Sequence, residues 1–359
     1  MISGISAIVT DTKDLSEHET PIYVCIAVLL SVIILSLLMD SFVIPIFFLL
    51  SIGMAIVYNL GSNFVVGEIS YITKALAAVL QLGVTMDYSI FLWHSYEEQL
   101  EIHGGDNKKA MANAITATIS SVVGSSITTV AGFIALCFMS FTLGLDLGVV
   151  MAKGVVLGVI ACVTILPSMI LVFDKAIQKT KHRQLLPDFK RIPGFITKHY
   201  KVFVVLFVLL LIPAIYGERN AKVYYDLSLS LPDSLESVSA QNRLSKDYEL
   251  GSANIILLST DTPKKDVKKL LDEVKKVDGV QAALGMESFL DGSVPDSFIP
   301  EKLTSELKSD KHEMMVFMSE YKTGSDEANT QCNEVEKIIK KYDKSGMLVG
   351  EAACTRDLI

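Results

Sequence analysis

The apolar positions of this 359-residue chain come in long blocks rather than at the helix or strand period of a soluble domain. A helix needs about 20 mostly apolar residues to cross roughly 30 Å of hydrocarbon. Six runs are candidates, at residues 21–39, 42–60, 72–94, 114–141, 147–173 and 202–216. The sixth is short between Lys201 and Glu218, and Phe195 to His199 extend it into the membrane interface. From Val223 the blocks give way to short β-rich runs and charged amphipathic stretches. Strands are expected at 253–259, 280–286, 313–319 and 347–351, and helices at 233–248, 263–277 and 326–342. In the 263–277 helix, Val267, Leu270, Leu271 and Val274 share one face. Two βαβ-like units in that order predict a ferredoxin-like α+β domain.

Composition agrees with this division. Half of the residues are hydrophobic and the mean hydropathy is +0.43. The net charge is −8, and residues 222–359 carry 25 acidic against 18 basic side chains, which argues against nucleic-acid binding. Asp11, Asp14, Glu17 and Glu19 precede the first run, unlike the basic start of a signal peptide. The five cysteines show no CxxC or Cys/His spacing, so neither a metal site nor a disulfide framework is expected. No phosphate loop, nucleophile–base set or cofactor motif occurs, so ATP is not the expected energy source and the chain is not expected to be an enzyme.

Basic residues mark the cytoplasmic side. The connector between the fifth and sixth runs carries Lys175, Lys179, Lys181, Arg183, Lys190, Arg191, Lys198 and Lys201 against Asp174 and Asp188, so it is placed inside. The loop with Lys108 and Lys109 then also falls inside, and the acidic start and everything after residue 217 fall outside. The connector mixes Leu185, Leu186, Phe189, Ile192, Phe195 and Ile196 with its charges. It reads either as an amphipathic segment on the anionic inner leaflet or as a basic loop that fixes topology.

Between Lys74 and Glu97 the third run holds one charge, Asp87, followed by Tyr88. At 1.5 Å per residue, Asp87 lies about 9 Å inside the expected interfacial belt of Trp93, His94 and Tyr96. A charge at such depth costs at least about 2.5–3.5 kcal/mol, so these residues normally face a bundle interior or a wet cavity. Proton uptake and release is the expected role; the alternative is an aspartate hydrogen-bonded between helices with no proton traffic. Gly83, one turn earlier on the same face, permits close helix approach. The fourth run supplies a hydroxyl-rich setting, Gly124, Ser125, Ser126, Thr128 and Thr129, which Asp87 is expected to face. Lys153 in the fifth run is expected to snorkel toward Asp146, and Pro45 and Pro167 to kink their helices.

These residues resemble a family. Gly83-Val-Thr-Met-Asp87-Tyr88, in a span ending Trp93-His94-Ser-Tyr-Glu-Glu, is similar to the GxxxDY signature of MMPL transporters of the resistance–nodulation–division (RND) superfamily. Val123-Gly-Ser-Ser-Ile-Thr-Thr-Val-Ala-Gly-Phe133 resembles the Gly/Ser/Thr-rich helix that follows it there, and Gly154 to Pro167 resembles the span after that. The resemblance implies twelve spans in two halves, with Asp87 and Tyr88 as the proton relay of one half. It divides this chain into a porter-domain remnant (1–20), a sterol-sensing-like five-helix bundle (21–173), a cytoplasmic connector (174–201), a sixth helix (202–217) and an outer porter domain (222–359). Gly4-Ile-Ser-Ala-Ile-Val-Thr-Asp11 and Gly350-Glu-Ala-Ala-Cys-Thr-Arg-Asp357 look like two copies of one stretch, as that frame requires. The implied function is proton-driven export of lipids or other amphiphiles across the cell membrane. Membrane lipids, a lipid-like substrate and a second chain supplying the missing spans are the implied partners. The alternative is a non-transporting, lipid-binding accessory protein.

Overall fold

Each apolar run becomes the centre of a helix that extends past the run at one end or both, because charged flanks continue the backbone hydrogen bonding. The computed structural model describes residues 4–65, 67–182, 191–221, 231–289 and 307–358. The long helices are α1 (Ile5–Leu38), α2 (Ile44–Gly61), α3 (Tyr71–Ile102), α4 (Asn107–Leu136), α5 (Thr142–Val172) and, after the short α6 (Asp174–Lys179) and α7 (Arg191–Lys198), α8 (Tyr200–Asn220). All six are long and apolar enough to cross a membrane. Two starts are capped by side chains: Ser70 Oγ accepts from Ile72 N at α3, and Asp106 Oδ1 from Lys109 N at α4. Pro45 opens α2 rather than kinking it, at a position where the missing N–H costs nothing. Pro167 does lie inside its helix, α5. The fourth helix stops at Leu136, short of the expected residue 141, and Gly144 packs on the Leu136 carbonyl and Met139 just beyond the turn.

The chain divides into two compact units, Met1–Thr12 with Leu206–Ile359, and Lys13–Val205. In the second of these, α2, α3, α4 and α5 pack mutually. Their core holds Phe48, Tyr88, Leu92, Trp93, Tyr96, Met111, Leu166 and Ile170, and α1 joins it through Leu35 and Met39. Trp93 and Tyr96, expected as an interfacial belt, are core residues with rings 5.5 Å apart; only His94 of the three is exposed. The turn between α1 and α2 is tied to the end of α6: Lys181 pairs with Asp40 at 3.2 Å, His182 N donates to Asp40 O, and the Phe42 and His182 rings lie 4.1 Å apart. In the connector, Arg183, Leu185, Leu186, Asp188, Phe189 and Lys190 lie outside the described residues. No residue of α8 is buried among the described residues.

The other unit contains α9 (Glu236–Tyr248), β1 (Ser252–Ser259), α10 (Lys264–Val274), β2 (Val280–Leu284), α11 (Met286–Phe289), β3 (His312–Ser319), α12 (Asp326–Tyr342), β4 (Met347–Gly350) and α13 (Glu351–Leu358). The four strands form one antiparallel sheet in the order β2-β3-β1-β4. Alternation along β1 and β3 sends Ile256, Leu258, Met315 and Phe317 to one face, where they meet Val267, Leu270, Leu271 and Val274 of α10 and Val335 and Ile339 of α12. Each such side chain contributes about 1.5–3 kcal/mol on burial. The expected strand at 280–286 ends at Leu284, because α11 begins at Met286.

The two similar stretches share a backbone as well as residues. Gly4 has φ +110° immediately before α1, and Gly350 has φ +137° immediately before α13, a region costly for any residue with a Cβ. In the first copy Asp11 accepts from Ser237 N at 3.2 Å and Ser237 Oγ at 2.5 Å, and so caps the start of α9.

Candidate functional site

The third helix is held at both ends of the bundle. Ser70 N donates to Asp146 Oδ2 at 2.8 Å, so Asp146 fixes the entry to α3 instead of receiving Lys153. Lys153 Nζ instead donates to Asn63 Oδ1, in the turn after α2. At the far end, Leu92, Trp93 and Tyr96 anchor α3 in the core.

Between these anchors α3 presents two polar stripes on opposite sides. Gln81, Thr85 and Ser89, each one turn from the next, are buried. Gln81 is completely buried: its Oε1 accepts from Asn59 Nδ2 at 2.9 Å and its Nε2 donates to the Gly154 carbonyl at 3.0 Å. Gly83 and Asp87 lie on the other side and are exposed on the bundle surface. A Cβ built at Gly83 meets no heavy atom within 4 Å. The Asp87 carboxylate makes no hydrogen bond or ion pair with any described residue. Tyr88, the next residue, points inward and is 4% exposed, so the Asp-Tyr pair straddles two faces of the helix.

Three of the four hydroxyls expected around Asp87 are spent on their own helix. Ser126 Oγ donates to Val123 O, and Thr128 and Thr129 both donate to Ser125 O. Gly124 and Ser125 are exposed, with nothing within 4 Å of a Cβ built at Gly124. No hydrogen bond links Asp87 to this group, so the structure leaves both the carboxylate and the small-residue stripe of α4 uncovered.

A charge-only reading of the third run passes over Gln81, and with it Asn59 and Asn63 of the second. The signal was present: a carboxamide inside an apolar run is costly to bury, though less so than a charge, unless its hydrogen bonds are made. Among the described residues no cluster of His, Cys, Asp or Glu is arranged to hold a metal ion.

Six membrane-length helices, one of them with a carboxylate on its open face, and a separate small sheet define a multi-pass membrane protein. The MMPL family model matches residues 1–197, more than half of the chain and all of the site just described. The chain belongs to the MMPL family. It is 29% identical over 225 residues to the sulfolipid-1 exporter MmpL8 of Mycobacterium tuberculosis, covering 58% of this chain and 20% of that one. To the transport protein MmpL8 of Mycobacterium bovis it is 27% identical over 310 residues, 79% of this chain and 27% of the relative. To the membrane protein ActII-3 of Streptomyces coelicolor it is 32% identical over 126 residues, 35% of this chain and 17% of the relative. The chain thus spans about a quarter or less of the length of these relatives.

Proposed function

We propose that the protein is part of a proton-driven exporter of lipids or other amphiphilic molecules, with Asp87 as a proton site. Membership of the MMPL family and similarity to a sulfolipid exporter support the substrate class. The observation that carries the proton role is the position of Asp87: one carboxylate on an open face of a membrane-length helix, beside a glycine whose missing side chain leaves room for another helix. An intramembrane ionisable residue is expensive and normally serves ion or proton movement. Its open face is in keeping with a partner segment, in this protein or in a second chain, that completes the relay. On this reading Tyr88 belongs to the same site from the core side, and Gly83, Gly124, Ser125, Ser126, Thr128 and Thr129 form the seat and setting of the incoming helix.

The positive-inside pattern supports a cytoplasmic connector at 174–201 and an extracytoplasmic domain after residue 217. The strand order β2-β3-β1-β4, with α10 and α12 on one face, supports a ferredoxin-like porter domain for residues 222–359. Residues 1–20 then hold the end of a neighbouring porter domain, residues 21–173 the bundle and residues 202–217 the sixth span.

Asp87→Asn keeps the size and removes the titration. In the complete transporter it is expected to abolish export driven by a proton gradient while leaving membrane abundance unchanged. Undiminished, gradient-dependent export by the variant would sink the proposal.

A further inference from the structure

The buried stripe of α3 is registered against α5 one turn at a time. Gln81 donates to the carbonyl of Gly154. Thr85 fills the space over Gly158, where any Cβ would collide with its methyl group. Ser89 and Cys162, both buried, continue the same register one turn further on. The three rungs are each one turn apart on both helices and keep a constant offset of 73 residues (154 − 81, 158 − 85, 162 − 89). Gly154 is also required to be bare: a Cβ there would lie 2.6 Å from Asn59 Nδ2 and 2.9 Å from Gln81 Oε1. The second helix joins the same ladder through Asn59 on Gln81 and Ser51 on the Ala161 carbonyl.

Sliding or rotating α3 against α5 would break the Gln81 and Thr85 rungs together and leave the Gln81 amide unpaired in an apolar interior. Small residues facing polar ones in this way bring membrane helices close and fix their register. Gln81 and Asp87 are six residues apart, about 9 Å along the axis and about 120° around it.

We propose that Gln81 is a positioning residue for Asp87: clamped between Asn59 and the Gly154 backbone, it locks α2, α3 and α5 into one block and thereby sets the depth and direction in which the carboxylate is presented. Conformational change during transport then occurs across the open Gly83–Asp87 face, not between α3 and α5. The inference rests on the proton-site reading for its consequence, but its geometry stands apart from it.

The test uses the full protein in its membrane with a Ser89→Cys background, so that the native Cys162 reports the lower rung as a disulfide. Gln81→Met keeps the shape and removes both hydrogen bonds. Asn59→Leu/Gln81→Met removes both side-chain partners and so leaves no orphan amide, which keeps the experiment informative if the single variant folds poorly. Gln81→Glu restores an acceptor and, when protonated, a donor. The expected result is several-fold slower disulfide formation between position 89 and Cys162 in both Met variants, and, with Ser89 intact, a pH profile of export displaced by about one unit, a tenfold change in proton affinity. Gln81→Glu returns both toward the wild type. Folded Met variants with wild-type cross-linking and an unchanged pH profile overturn the proposal. A slowed cross-link in a protein whose export is indifferent to Asp87→Asn removes the proton reading and leaves the ladder's hold on α3 standing.

Discussion

At the scale of single residues the bundle depends on a few atoms being absent. Gly158 is bare because Thr85 occupies its space, and Gly154 because Asn59 and Gln81 occupy the space over it. Gly158→Ala is therefore expected to destabilise the bundle by about 1–3 kcal/mol, the usual cost of overpacking. Thr85→Ala in the same chain removes the colliding methyl and is expected to recover part of the loss; thermal unfolding in detergent reads both. Gly83 gives the opposite expectation, since a Cβ there meets nothing. Asp87 was legible in the sequence as the charge that apolar surroundings make costly. Its open setting was not, because a helix period tells which residues share a face but not which neighbour that face meets. The α4 hydroxyls looked like a setting for Asp87, yet threonine and serine in an apolar helix satisfy themselves on the carbonyl three or four residues back, as Thr128 and Thr129 do on Ser125.

Elements were most legible where local chemistry marks both ends. The α12 helix runs from Asp326 to Tyr342 as its pattern predicts, because Ser325 caps it by accepting from Ala328 N at 3.1 Å, acidic residues fill its first turn and lysines its last. Ser325→Ala is expected to cost about 1 kcal/mol, read by urea unfolding of the protein followed through the sheet unit. The same helix is tied to α10 through Lys341 and Tyr342, which hydrogen-bond Glu273 and hold its carboxyl below the usual carboxylate range. A carboxylate whose folded value is depressed stabilises the fold above its unfolded value, and that contribution is lost as pH falls through the lower, folded value. Carbon-detected NMR of the Glu273 carboxyl is therefore expected to titrate below an ordinary glutamate, and Lys341→Met to move it back up. Element ends were least legible at Leu136, where Gly144 packs on the turn after α4, and at Pro45, which opens α2 at a position where its missing N–H costs nothing.

For the whole molecule, the six membrane-length helices and the separate sheet-bearing unit followed from block length and strand–helix alternation, since both are set by the solvent each segment meets. What the pattern alone does not contain is which helix faces remain open. The features uncovered among the described residues include α8 over its full length, the Gly83–Asp87 side of α3 and the small-residue stripe of α4. An element that seats on the second predicts a dissociation between folding and function. Gly83→Leu is expected to leave cross-linking of the α3–α5 ladder and the unfolding temperature unchanged while reducing export, because the added side chain fills a seat that no described part of this chain occupies. The central claim, that Asp87 moves protons in a transporter of which this chain is a part, is tested most directly by proton flux. The complete transporter, reconstituted in vesicles with a pH-sensitive dye inside, is given substrate with and without the Asp87→Asn change. The account predicts substrate-dependent proton movement in the wild type and none in the variant; equal proton movement in both would contradict it.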